Sequence, residues 1–348
     1  MCEHVFVRWE NLEVGKEEAG ARLPGFREPA VVRTFDAPEA LGIRFYEVQA
    51  RSALNQVPKR SRMPFRWTIN AYRGCTHACT YCFARPTHTY LDLNAREDFE
   101  REIVVKVNVP ELLRVELARP SWKGEHVALG TNTDPYQWVE GRYKLMRGVW
   151  EAMRDFANPC SVLTKSPLLL RDLDLMKEIA KRTDFTANLS IPTLDEKAWR
   201  DTEPHTPHPR KRIEAVAELK RAGIRTGVLI APLIPGVNDA PEQVEPLLEL
   251  LDEAGPDSIG GVALHLRGEV RDIWFDWLRE RRPDLLPRYE ELYERGAYMR
   301  KDEAKRLASM VRRPGRTGPR RGIVKKDKAP VAEAEVSQGR QREQPRLF

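Results

Sequence analysis

Cysteine is scarce in this chain, five residues in 348, and that scarcity excludes the disulfide framework on which small secreted domains depend. Long apolar runs are missing too. None approaches the ~20 residues needed to span a bilayer, so no membrane partner is expected. The first twenty residues, "MCEHVFVRWENLEVGKEEAG", carry acidic side chains where a secretory signal has its apolar segment. The expected location is therefore the cytoplasm.

A net basic charge is absent from most of the molecule. The formal net charge is +6, yet residues 312–328, "RRPGRTGPRRGIVKKDK", hold eight Lys/Arg and one Asp, a local +7 that leaves −1 for everything else. The tail, 312–348, is rich in Gly, Pro and charge and is expected to be disordered. Such a tail suits phosphate contacts with nucleic acid, or solubility alone. The near-neutral body favours no substrate class.

What is present is an alternation. Residues 1–60 read as an irregular N-terminal extension, interrupted by Pro24, Pro29, Pro38 and Pro58. From about 65 onward, short β-branched runs alternate with stretches of helical period, the pattern of an α/β domain with a parallel sheet. The expected strands are 66–73, 126–132, 160–165, 185–191, 225–234 and 258–267, with 101–108 as an extra strand inside the first crossover. Helices are expected over 208–222, stopped by Gly223, and over 240–254, stopped by Gly255 and blemished by Pro246. Residues 268–310 read as amphipathic helix whose aromatics pack a terminal segment against the domain. The implied organisation is an extension (1–60), a domain (61–270), a helical segment (271–311) and the tail. Six β/α units suit an open doubly wound sheet or a partly closed barrel, and both place function at the C-terminal strand ends.

Those ends are polar: "GTNTD" (130–134), "TKS" (164–166), Ser190 and "HLR" (265–267). The first strand runs into "YRGCTHACTYCFARPTHTY" (72–90), which holds Cys75, Cys79 and Cys82. Clustered thiolates in a reducing compartment bind zinc or an iron–sulfur cluster, each commonly with four ligands. Cys2 and Cys160 are isolated, and Cys160 starts a strand at the opposite end. His77 or His88 would complete a zinc tetrahedron. Alternatively, the three cysteines hold three irons of a [4Fe–4S] cluster and leave the fourth open. His205 and His208 have metal-like spacing within a proline-rich loop, and His265 reads as a satisfied core histidine.

The C-x₃-C-x₂-C spacing, with Tyr81 before the last cysteine, resembles the radical S-adenosylmethionine superfamily. "NAYRGCTHACTYCFARPTH", "LGTNTDPYQ", "LTKS" and "NLSIPT" are similar to its spore photoproduct lyase-like branch, over roughly residues 50–300, and in particular to actinobacterial-type members of unassigned substrate. Those typically read "NPYRGC", and Ala71 departs from that pattern. The resemblance implies a partial (β/α)6 TIM-type barrel that carries a [4Fe–4S] cluster on Cys75, Cys79 and Cys82. S-adenosylmethionine then chelates the open iron, and an external flavodoxin- or ferredoxin-like protein donates one electron. Reductive cleavage gives a 5′-deoxyadenosyl radical that removes hydrogen from a substrate. Tyr81 and Phe83 match positions lining the adenine. Gly130, Thr131 and Asn132 replace a Gly-Gly-Glu-like stretch, without its Glu. Lys165 matches a lysine that pairs with the methionine carboxylate, and Ser190 a serine that bonds the ribose or methionine end. Photoproduct lyases also use a cysteine near the end of the second strand, and "ALGTNTD" has none. DNA repair of that type, and a non-catalytic zinc or iron–sulfur nucleic-acid binder, stand as the alternatives.

Overall fold

The computed structural model describes residues 14–22, 29–58, 61 and 63–312; the expected disordered tail lies outside them apart from Arg312. Twelve strands occur among the described residues: β1 (Val14–Arg22), β2 (Pro29–Phe35), β3 (Arg44–Val48), β4 (Leu54–Gln56), β5 (Trp67–Ile69), β6 (Tyr72–Arg73), β7 (Glu102–Lys106), β8 (Val127–Leu129), β9 (Cys160–Thr164), β10 (Phe185–Ser190), β11 (Thr226–Leu233) and β12 (Ser258–Ala263).

The larger sheet has the order β12-β11-β10-β9-β8-β5-β4. Its six strands from β5 to β12 pair in parallel, each with the next along the chain, and β4 caps the edge antiparallel. A doubly wound sheet would reverse its strand order at a switch point. This one never does, so it is the wall of a partial barrel, open between β12 and β4. Residues that alternate along these strands are buried in one core with the flanking helices, including Val127, Leu129, Val162, Ala187, Leu189, Val228 and Ile230.

Two expectations about the strands are corrected. The N-terminal extension is not irregular: β1, β2 and β3 form a second sheet, β1-β2-β3-β7-β6. Proline sits at its boundaries, Pro29 opening β2 and Pro38 opening a 3₁₀ turn, where the missing N–H costs no ladder bond. The expected strand 66–73 is two strands in two sheets. β5 pairs with β8, whereas Tyr72 and Arg73 pair antiparallel with Val105 and Val104 of β7.

The helix Pro209–Arg221 is followed by Gly223 at φ +78°, and the helix Pro241–Ala254 runs unbroken through Pro246. The expected 268–310 helix is three, Val270–Arg281, Leu286–Leu292 and Lys301–Met310. Trp274, Tyr289 and Tyr293 are buried, with Trp274 stacked on Trp277 at 4.5 Å and Tyr289 on Tyr293 at 5.8 Å, so this segment packs as expected. Among the described residues no helix is long and apolar enough to cross a membrane.

Candidate functional site

The cysteine loop leaves β6 at the C-terminal side of β5 and is held by contacts that use no thiol. The Cys75 amide donates to Phe99 O at 2.9 Å. Gln137, fully buried, accepts from the Thr76 amide at 2.9 Å and donates to Gly74 O at 3.2 Å. Arg85 is also buried, and its guanidinium donates to Cys79 O, Ala78 O, Ala95 O and Arg96 O and pairs with Glu100 at 2.8 Å. Buried carbonyls need donors, and one planar fork serves four of them.

Cys75 and Cys79 are buried and Cys82 is half-buried, all three free thiols. Burial raises the Cys79 thiol well above its usual range, with Glu203 adding and Lys165 opposing. Burial and then Cys75 push Cys82 up to about 11. Loading a metal here therefore displaces protons. Among the described residues no three Cys, His, Asp or Glu side chains meet where a single ion would be held. A [4Fe–4S] cluster takes its thiolates on separate irons, so its ligands surround a cube rather than a point. Three mutually interacting thiols on one loop, two buried and one half-buried, fit that group. His88 instead turns Nε2 to Glu102 O at 2.9 Å. His77 places Nδ1 3.4 Å from Asp134. Burial alone would lower His77, but Asp134 and Cys75 outweigh it and hold it at about 9.

Facing the loop, the ends of β8, β9 and β10 carry a buried polar network. Lys165 Nζ, after β9, donates to Ser190 Oγ at 2.8 Å, to Tyr81 OH at 3.3 Å and to Glu203 Oε1 at 2.7 Å. Tyr81 OH also bonds Glu203. Arg212, fully buried, pairs with Glu203 Oε2 at 2.7 Å and donates to Ser190 O at 3.0 Å. Burial favours the neutral form of Glu203, yet Arg212 and then Lys165 outweigh it and pull it down to about 2. One carboxylate thus serves two cations. Sequence spacing gave no sign of Glu203 or Arg212, since Glu203 lies 38 positions from Lys165 and 122 from Tyr81.

The other expected residues fall around this centre. Gly130 ends β8 at φ +76°, and a Cβ there would stand 1.8 Å from Leu163 O, so only glycine permits the approach to β9. Thr131 and Asn132 are half-buried. Asp134 accepts from Thr164 Oγ1 at 2.6 Å, the Lys165 amide at 2.7 Å and the Tyr136 amide at 2.9 Å, latching the ends of β8 and β9 together. Phe83 turns outward, 47% exposed, its ring 5.8 Å from His265, which in turn lies 5.6 Å from Tyr298. His265 is thus half-buried in an aromatic row rather than a core histidine. His208 caps the helix Pro209–Arg221. Cys160 is fully buried and pairs with Val127 and Phe185 at the far end of the sheet.

Fold and site together define an α/β partial-barrel protein with a three-cysteine loop and an ion-paired network at its strand ends. A family model described as the Radical SAM superfamily matches residues 69–260, and the chain belongs to that superfamily. Among its relatives, an uncharacterised protein of Mycobacterium tuberculosis (strain ATCC 25618 / H37Rv) is 45% identical over 296 residues, 84% of this chain and 87% of its own length. An uncharacterised protein of Methanocaldococcus jannaschii is 31% identical over 198 residues, 57% of this chain and 70% of its own. Spore photoproduct lyase complexed with dinucleoside spore photoproduct shares the fold, with TM-score 0.57, 17% identity and 77% of each chain covered. A variant of that lyase with bound AdoMet gives TM-score 0.56 at 16% identity, again covering 77% of each chain.

Proposed function

We propose that this protein is a cytoplasmic radical S-adenosylmethionine enzyme, reduced by an external flavodoxin- or ferredoxin-like protein and acting on a substrate of unassigned class. Cys75, Cys79 and Cys82 hold a [4Fe–4S] cluster whose fourth iron is left to S-adenosylmethionine. Bound together, these groups supply reductive cleavage to a 5′-deoxyadenosyl radical that removes hydrogen from the substrate. The chain's own residues bind and orient. Lys165, at 15% side-chain exposure, carries the charge for the methionine carboxylate. If it turns from Glu203 toward the ligand, Arg212 still satisfies that carboxylate. Ser190 Oγ sits beside Lys165 Nζ and suits the ribose or methionine end. Tyr81 places its ring 5.6 Å from the same ammonium, and Gly130, Thr131 and Asn132 offer backbone and side-chain partners at the next strand end. Phe83 stands at the rim.

The observation that carries this reading is the meeting of the cysteine loop with Lys165 and Ser190 at the C-terminal ends of consecutive parallel strands. Anaerobic purification tests it: a brown protein with about four irons per chain is expected, and a colourless one with stoichiometric zinc would overturn it. Dithionite with S-adenosylmethionine should yield 5′-deoxyadenosine, and Cys79→Ala should abolish that product. Repair of a DNA photoproduct is the weaker reading, because the end of β8 offers no cysteine and Cys160 is buried at the other end of the strands.

A further inference from the structure

The second sheet carries two cations, Arg73 and Lys106, that form no salt bridge among the described residues. Arg73 of β6 lies directly opposite Val104 of β7, and Lys106 follows Val104 by two residues on the same face. That face is the outer one, where Val104 packs with Val32, Tyr46, Val48 and Leu91. Both cations are half-buried. Among the described residues neither forms a salt bridge, and the Lys106 ammonium finds only the backbone oxygen of Asn70, at 3.0 Å. Glu102, two residues before Val104 on the same strand, is already held by Arg44 at 2.6 Å and by Tyr46 at 2.8 Å.

Two like charges in one partly desolvated place are costly, and proteins seldom retain such a pair without an anion to meet it. Burial and then Arg73 bring Lys106 down to about 8. An arginine fork beside a lysine point charge matches the tetrahedral oxygens of a phosphate. Tyr90, 79% exposed, lies near enough to Arg73 to act on its charge.

We propose that Arg73 and Lys106 form a binding site for a phosphate group, carried either by a nucleic-acid backbone or by a free phosphate or phosphomonoester. It lies on the outer face of the second sheet, away from the ion-paired strand ends of the barrel, and stands whether or not the radical chemistry does.

The test is the thermal unfolding of the full chain in inorganic phosphate or oligothymidylate, each against chloride of equal ionic strength. Wild type should gain several degrees, as any ligand of the folded state alone confers. Lys106→Met and Arg73→Gln should lose that gain, whereas a general salt effect or binding to the basic tail would persist in both variants. Lys106→Met should also melt above wild type in chloride, because an uncompensated charge has gone. Oligothymidylate acting at lower phosphate concentration than the inorganic ion identifies a backbone ligand, and the reverse order a free or monoester one. A wild type unresponsive to both probes, or variants responding as wild type does, would overturn the site. If Arg73→Gln does not fold, the wild-type titration and Lys106→Met decide the matter alone.

Discussion

Two buried glutamates, Glu203 bonded to Tyr81 within the cysteine loop and Glu140 bonded to Tyr72 just before it, have opposite fates. Glu203, at the strand ends, is pulled down to about 2 despite its burial because Arg212 and Lys165 share it. Glu140 is just as buried, and burial pushes it up to about 7 although Arg171, Tyr72 and the Met146 amide all contact it. The guanidinium of Arg171 is itself divided between Glu140 and Asp172, at 2.6 and 2.7 Å. Burial wins where one cation serves two carboxylates and loses where one carboxylate is served by two cations.

The sharpest way to break this contrast is Arg212→Leu. It strands Glu203 with only the more exposed Lys165, and a loss of about 3–5 kcal/mol is expected from urea unfolding, as for a buried pair deprived of one partner. A loss under about 1 kcal/mol would show that Arg212 is not the structural half of the network. Next comes pH. Glu140 has a folded value near 7 against an ordinary 4.5, so the native state binds more protons than the unfolded one between them. Its contribution is full below pH 4.5 and falls away as pH rises through 7, by about 3 kcal/mol in all. Glu140→Gln should flatten that stretch of the stability profile, and an unchanged slope would place the titration elsewhere.

Arg85→Ala is expected to cost about 1–3 kcal/mol through the carbonyls it leaves unserved, with a lowered iron content after reconstitution. The smallest stability effect belongs to Lys165→Met, about 1 kcal/mol or less, since Arg212 keeps Glu203 charged. The same variant should bind S-adenosylmethionine at least about tenfold more weakly by calorimetry, as loss of a charge-assisted contact implies. Equal stability losses for Lys165→Met and Arg212→Leu would erase the division of labour between them.

Most of the barrel wall, from β8 to β12, was legible because its strands are short apolar runs followed by helical period. That pattern is local. What escaped was set by partners far along the chain. Nothing between Trp67 and Arg73 announces that Ile69 will pair with Leu129 and Tyr72 with Val105. The prolines of the first 60 residues read as interruptions, whereas Pro29 opens β2 and Pro38 opens the 3₁₀ turn between β2 and β3. Within the site, Cys75, Cys79, Cys82, Lys165 and Ser190 were visible as motifs at strand ends. Glu203, Arg212, Arg85 and Gln137 were not, because each acts through groups tens of residues away or through backbone carbonyls that leave no mark on composition.

The brace around the cysteine loop bears on the order of assembly. Arg85, Gln137 and the Phe99 carbonyl fix the loop through its backbone, so its shape does not wait for a metal as that of a zinc finger does. If the proposed cluster is bound there, the polypeptide can be complete before iron and sulfide arrive, with insertion as the last step of maturation. Apoprotein should accordingly be a stable, storable species rather than a misfolded one.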